Sequence, residues 1–297
     1  MNVKGAGVEK IALQNGLTMI EVVVVMAVIA ILAAIALPAL AAGGHQSRRV
    51  LCLNNIKQLT LAEIMYCEEN GHSVPDTTPA GSVGGWVVNL SNYIQGATNL
   101  ILCPTTTQPS QPIDVYDGNA FTPWCRKDYD GNDAPYFGSY EMNGWFYTKR
   151  SDAAQGDGDG VNEILPSGQT GNPNGYYLTA AQVKRPGSTP VFSDGIWVDS
   201  WPLENDAPCH DLRGTVGQDS PNQGSLGREI ARACVARHNC DPFAQNTWTT
   251  PNQQPVVGAV NVGLFDGHAE LSSLPHLWSY YWHNNWSPGK VVIGNPY

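Results

Sequence analysis

Charged side chains are scarce in this chain of 297 residues: Asp, Glu, Lys and Arg make up 14% of it, and cations are the rarer sign, with 16 Lys and Arg against 26 Asp and Glu. A formal charge of −10 turns the chain against polyanions, so nucleic acid is not an expected partner. Lys4, Glu9 and Lys10 leave the segment ahead of Leu17 slightly positive, and a chain beginning at Leu17 is more acidic still. The familiar signatures of catalysis are missing as well: there is no HExxH, GxSxG, phosphate-binding P-loop or GxGxxG. Paired CxxC spacing is also lacking, which disfavours a zinc ribbon. The seven cysteines, Cys52, Cys67, Cys103, Cys125, Cys209, Cys234 and Cys240, are scattered. Behind an export segment they meet an oxidising compartment, where disulfides are the default, and an odd count leaves at least one thiol over.

What the chain has instead is apolar matter and turn formers. Its hydrophobic content of 42% suffices for one sizeable core or two modest ones, while 31 Gly and 21 Pro point to short strands and turns, with few long helices beyond the first. One segment stands apart: "GLTMIEVVVVMAVIAILAAIALPALAAGG", Gly16 to Gly44, holds a single carboxylate, Glu21, near its start. At 1.5 Å per residue the uncharged run that follows is long enough to span the ~30 Å hydrocarbon layer. A secretory signal peptide offers a competing reading, because "ALAA" at Ala39 to Ala42 presents small residues to a signal peptidase. The usual apolar stretch of such a peptide is shorter and carries no acid. Pro38 removes a backbone hydrogen bond inside the run and Gly43-Gly44 adds freedom nearby, so a kink or local melting point is expected there.

The residues "G-LTMIE" before a long apolar helix resemble the cleavage and methylation site of type IV prepilins and type II secretion pseudopilins. The resemblance implies that a prepilin peptidase cuts after Gly16 and that Leu17 becomes the N-methylated first residue, where Phe is commoner in the family. It also implies that Glu21, fifth in the mature chain, sets the register of assembly. An acid in an apolar bundle is stabilised if a neighbouring subunit presents its positive α-amino group, so subunits that stagger correctly cancel two buried charges together. Snorkelling of Glu21 to the headgroups is the simpler alternative.

Beyond the span, "HQSRRVLCLNNIKQLTLAEIMYCEENGHSVPD" continues as an amphipathic helix, with Leu53, Ile56, Leu59, Ala62 or Glu63, and Tyr66 at helical spacing and a stop at Gly71 and Pro75. This stretch is similar to one bacterial subfamily of prepilin-like proteins, through Arg48, Arg49, Cys52, Asn54, Asn55, Lys57, Gln58 and Tyr66. Later pieces share the likeness: "LCPTT" at Leu102 to Thr106, "SYEMNGW" at Ser139 to Trp145, "VFSDG" at Val191 to Gly195, "RHN" at Arg237 to Asn239, and "NVGLFDGHAE" at Asn261 to Glu270. In that group a His stands about nine residues before the final Asp-Gly. Here Ala244 to Gly258 are inserted between His238 and Asp266, which removes His238 from that spacing. The resemblance also suggests a disulfide from Cys52 to Cys103, with buried free thiols as the alternative.

Asp266-Gly267 within "AVNVGLFDGHAELSSL" is a strong hairpin signal, and "TPVFSDGIWVDS" reads as another strand pair. The expected fold is therefore α+β and pilin-like, a long N-terminal helix on an antiparallel sheet with Gly/Pro-rich loops. Its organisation is a leader at 1–16, a transmembrane or filament-core helix at 17–44, an amphipathic continuation at 45–70 and a globular head at 71–297.

Two acidic loops, with Asp128, Asp130 and Asp133 in one and Asp157, Asp159 and Glu163 in the other, have the alternating oxygens that suit Ca²⁺. Neither completes an EF-hand: Asp133 stands where Gly belongs, and Val161 occupies a ligand position. Calcium loops among major pseudopilins favour the metal by analogy, and solvated Asp-Gly turns are the alternative. An enzyme reading rests on His210-Asp211, His238, Asp266 and His268, which could converge as zinc ligands or as a base with its orienting carboxylate, and nothing in their spacing demands it. No enzyme is expected. The functions in view are a filament subunit, processed by prepilin peptidase and polymerising with itself and other pilins or pseudopilins, and a secreted or anchored binding protein whose nine Trp and twelve Tyr form an adhesive face. The filament reading places the precursor in the cytoplasmic membrane with one span, and the mature chain in the envelope or an extracellular filament.

Overall fold

The computed structural model describes residues 18–75, 85–94, 98–107, 118–126, 136–148, 175–204, 206, 229–233, 235–238 and 257–289, with the backbone alone at 38–45 and 136. The chain forms two compact units, Met1–Gln46 and Ser47–Tyr297. Helix α1, Met19–Asn70, contributes to both.

In the first unit the helix is built from Val, Ile, Leu, Ala and Met, and its side chains from Met19 to Leu37 are all exposed. A run of valines is not a strong helix former in water. In a bilayer, however, the backbone must satisfy its own polar groups, and a helix does this within one segment. The helical backbone continues through Pro38 and Gly43-Gly44, so the melting point expected there is not seen. Pro38 removes one hydrogen bond, and the surrounding turns supply enough others to hold the helix.

The second unit begins inside α1. From Ser47 onward the helix buries Cys52, Ile56, Leu59, Thr60, Ala62, Glu63 and Cys67. Steps of three and four between these positions put them on one stripe. That stripe is centred one residue away from the predicted one at both ends: Leu53 and Tyr66 are half-buried, while Cys52 and Cys67 are buried. Cysteine packs as a small hydrophobe, and counting only larger apolar residues displaces the stripe. The helix stops at Asn70, where Gly71 takes φ +74° and its N–H caps the Cys67 carbonyl at 2.9 Å.

Strands β1 (Trp124–Arg126) and β2 (Tyr136–Gly138) form an antiparallel ribbon. The main sheet contains β3 (Tyr140–Asn143), β4 (Pro190–Asp194), β5 (Asp199–Ser200), β6 (Ala259–Leu264) and β7 (Ala269–Ser273), in the order β5-β3-β4-β6-β7. All pairings are antiparallel except β3 with β5. The architecture is thus a long N-terminal helix with an antiparallel-rich sheet, an α+β pilin-like fold. Strands β6 and β7 form the hairpin read from Asp266-Gly267, with Gly267 at φ +87° and its N–H bonded to the Leu264 carbonyl at 2.8 Å.

The segment 190–200 departs from the expected strand pair. Its two strands do not face each other: β4 and β5 flank β3 on opposite sides. The crossing is held by the Gly195 N–H on Ser139 O at 3.0 Å and by the Met142 N–H on Val198 O at 3.0 Å. A Cβ at Gly195 would lie 2.4 Å from the buried Glu141 carboxylate, so only glycine makes this turn. Strand β6 comes equally close to α1, where a Cβ on Gly263 would sit 2.0 Å from Thr60 Oγ1 and 2.8 Å from Ile56 Cγ2. Beside this contact the core is aromatic, with Trp86, Trp124, Trp145, Trp278 and Trp282 all buried and Trp86 edge-on to Phe192 at 5.0 Å.

Candidate functional site

At the start of α1, Thr18 precedes the first helical residue and Glu21 stands three positions on. The Thr18 N–H and hydroxyl both donate to Glu21 Oε2, at 2.7 and 2.8 Å, and Thr18 Oγ1 accepts the Glu21 N–H at 3.4 Å. This is a reciprocal capping box, and two amides that the helix cannot satisfy itself find partners in it. The acid therefore has a local partner within the unprocessed chain, a role the sequence displays in "TMIE" but which its apolar context obscures. Met19–Leu37, 19 residues, is long and apolar enough to cross a membrane and is unburied within its unit. Gly16 and Leu17 lie outside the described residues.

The second candidate is the set of histidines and acids in the head. His238 bridges to Ala259 at the beginning of β6, through backbone bonds of 2.9 and 2.8 Å. Asp266 and His268 lie in the turn beyond its end, about 20 Å away along a strand rising ~3.4 Å per residue. There the two form an exposed pair, Nδ1 to Oδ1 at 2.5 Å. The structure thus separates His238 from Asp266 and His268, so among the described residues these three do not converge. His210 and Asp211 are outside the described residues. So are Asp128, Asp130, Asp133, Asp157, Asp159 and Glu163 of the two proposed calcium loops.

What His238 does meet is Asp194, at the end of β4, with Nε2 3.2 Å from Oδ2. The same carboxylate accepts the Asn261 N–H at 2.6 Å on Oδ2 and faces Arg237 Nη1 at 3.4 Å on Oδ1. Arg237 also donates to the carbonyls of Ala120, Ser139, Asn119 and Gly195, which ties three chain segments to one guanidinium. Burial pushes the Asp194 carboxyl up, but His238, Arg237 and the Asn261 amide outweigh it and hold the group below its usual range. Sequence reading passed over Asp194, Arg237 and Asn261. Their signal was present: each is a polar residue inside one of the fragments "VFSDG", "RHN" and "NVGLFDG".

Two further buried carboxyls lie outside this cluster. Glu63 on α1 accepts from Cys67 Sγ at 3.2 Å and from the Val74 N–H at 3.4 Å, and burial raises it to about 8. Glu141 on β3 accepts from the hydroxyls of Ser200, at 2.7 Å, and Ser193, at 3.4 Å, and burial raises it well above the ordinary value. Burial favours the neutral form of both, which makes them polar packing rather than charges. Cys52 of α1 is joined to Cys103 by a disulfide, with Cα atoms 5.1 Å apart.

A family model of the prokaryotic N-terminal methylation motif matches residues 11–37. No curated protein and no solved structure matches the chain. The matched segment contains the capping pair Thr18 and Glu21 and the whole apolar span, and with it the chain carries the prepilin-type signature at its N-terminus.

Proposed function

We propose that this chain is a prepilin that becomes a structural subunit of a type IV pilus-like or type II secretion pseudopilus filament. The N-terminal methylation motif, continuous with a membrane-length helix, is the observation that carries the reading. In this reading residues 17 to about 40 hold the precursor in the cytoplasmic membrane. A prepilin peptidase cuts after Gly16, Leu17 is N-methylated, and the subunit then leaves the bilayer by packing its helix among those of other pilins. Every side chain from Met19 to Leu37 is uncovered within its own unit, so lipid or neighbouring helices must cover this surface.

Glu21 changes partner on processing. Before cleavage it caps the helix through Thr18; in the filament it neutralises the new α-amino group of an adjacent subunit, which removes two uncompensated charges from an apolar bundle. The test is mass spectrometry of the N-terminus of the mature protein. N-methyl-Leu at position 17 is expected. A chain beginning at Gly43, freely soluble and never polymerising, would instead establish a secreted binding protein.

A further inference from the structure

We propose that Cys52, Cys103 and His238 form a binding site for a thiophilic d¹⁰ cation, with Zn²⁺ as its representative, which is closed while the Cys52–Cys103 disulfide is intact and opens when a dithiol reductant cleaves it. The inference is independent of filament assembly, since all three residues belong to the second unit.

The geometry comes first. One ligand atom from each of the three residues lies within 4.8 Å of the others, and all three side chains are buried. A tetrahedral zinc with Zn–S near 2.3 Å and Zn–N near 2.0 Å sets its ligands about 3.5–3.8 Å apart, so side-chain rotation after the S–S bond breaks is enough to close the set. The two cysteines come from α1 and from the loop before Pro104, and the histidine from the strap beside β6, three segments already fixed by the core.

His238 is also prepared as a ligand. Its Nε2 lies 3.2 Å from Asp194 Oδ2, and that carboxylate is anchored by Asn261 N and Arg237. A carboxylate beside this ring nitrogen fixes the orientation of the imidazole, as a second residue does behind a metal-binding histidine. Asn261 Nδ2, 2.9 Å from Nε2, closes the same side of the ring. Thr105 Oγ1 lies 2.8 Å from Cys103 Sγ and can donate to the thiolate. Three protein ligands leave one tetrahedral position for water or for a group that a ligand brings.

The chemistry balances. The dithiol gives two electrons and two protons to the S–S bond and becomes a disulfide itself, leaving Cys52 and Cys103 as thiols. Zn²⁺ then displaces two protons and binds two thiolates and the neutral imidazole.

The experiment uses the full chain in detergent micelles, reduced with a water-soluble phosphine, which takes its oxygen from water and ligates zinc poorly. Zinc is titrated against a chromophoric chelator, and Co²⁺ serves as the spectroscopic substitute. One Zn²⁺ per chain is expected after reduction and none before, with a thiolate-to-cobalt charge-transfer band that Cys52→Ser or Cys103→Ser abolishes. His238→Ala should weaken binding at least about tenfold, and Asp194→Asn about 10- to 100-fold. Equal affinity in His238→Ala would overturn the proposal, because zinc would then be held by the remaining cysteines. So would a reduced chain that keeps its near-ultraviolet circular dichroism yet takes up no zinc, or one that unfolds on reduction even with zinc present.

Discussion

Glu63 offers a test of the head's packing that does not depend on function. Its carboxyl is buried on α1, one oxygen has two partners and the other, Oε2, has none. Burial lifts it from 4.5 to about 8, so between those values the folded chain holds a proton that the unfolded chain has released. The native state then binds more protons, and stability falls as pH rises through this window. At 1.36 kcal/mol per pH unit, the loss between about pH 5 and about pH 7.5 is roughly 3 kcal/mol. Glu63→Gln keeps an acceptor for Cys67 and Val74 and cannot ionise, so its own contribution is flat with pH. Asp206, raised to about 7 by burial, and Glu141 titrate in the same sense, and the difference between wild type and variant isolates Glu63. Urea unfolding followed by tryptophan fluorescence reads the head alone, because all nine tryptophans lie beyond residue 85. The expected result is a variant whose advantage grows by roughly 3 kcal/mol over that range. A difference that stays constant with pH would refute the reasoning, since Glu63 would then be solvated and charged.

Other perturbations address other contacts. Glu21→Val should insert in the membrane and be cleaved normally but fail to polymerise, as read by electron microscopy of filaments; ordinary filaments from this variant would remove the electrostatic account of the acid. Gly263→Ala places a methyl group against Thr60 and Ile56 and should cost about 1–3 kcal/mol or more in thermal or urea unfolding, because helix and strand backbones cannot separate without opening the core. Arg237→Met takes the guanidinium from the buried Asp194 carboxylate and a donor from each of four carbonyls, and a loss of about 3–5 kcal/mol is expected in the same measurement. Replacing Cys52 and Cys103 together by Ser frees a loop spanning 51 positions and should lower stability by about 4 kcal/mol under non-reducing conditions.

Local chemistry made part of this protein legible before any coordinates. The membrane-length run announces itself because about twenty uncharged apolar residues have few other uses, and Gly71 ends α1 because only glycine relaxes readily at φ +74°. Asp266-Gly267 marks the β6–β7 hairpin for a similar reason of backbone conformation. Such signals act over a few residues, so the sequence by itself determined them. The insertion of β3 between β4 and β5, the meeting of Asp194, Arg237, His238 and Asn261, and the placing of His238 beside Cys52 and Cys103 belong to the tertiary structure alone. Strands buried on both faces lose the alternation that would reveal their neighbours, and a buried charge chooses its partner by three-dimensional proximity. Residues as far apart in sequence as Asn119 and Arg237 met only when the core had closed around them.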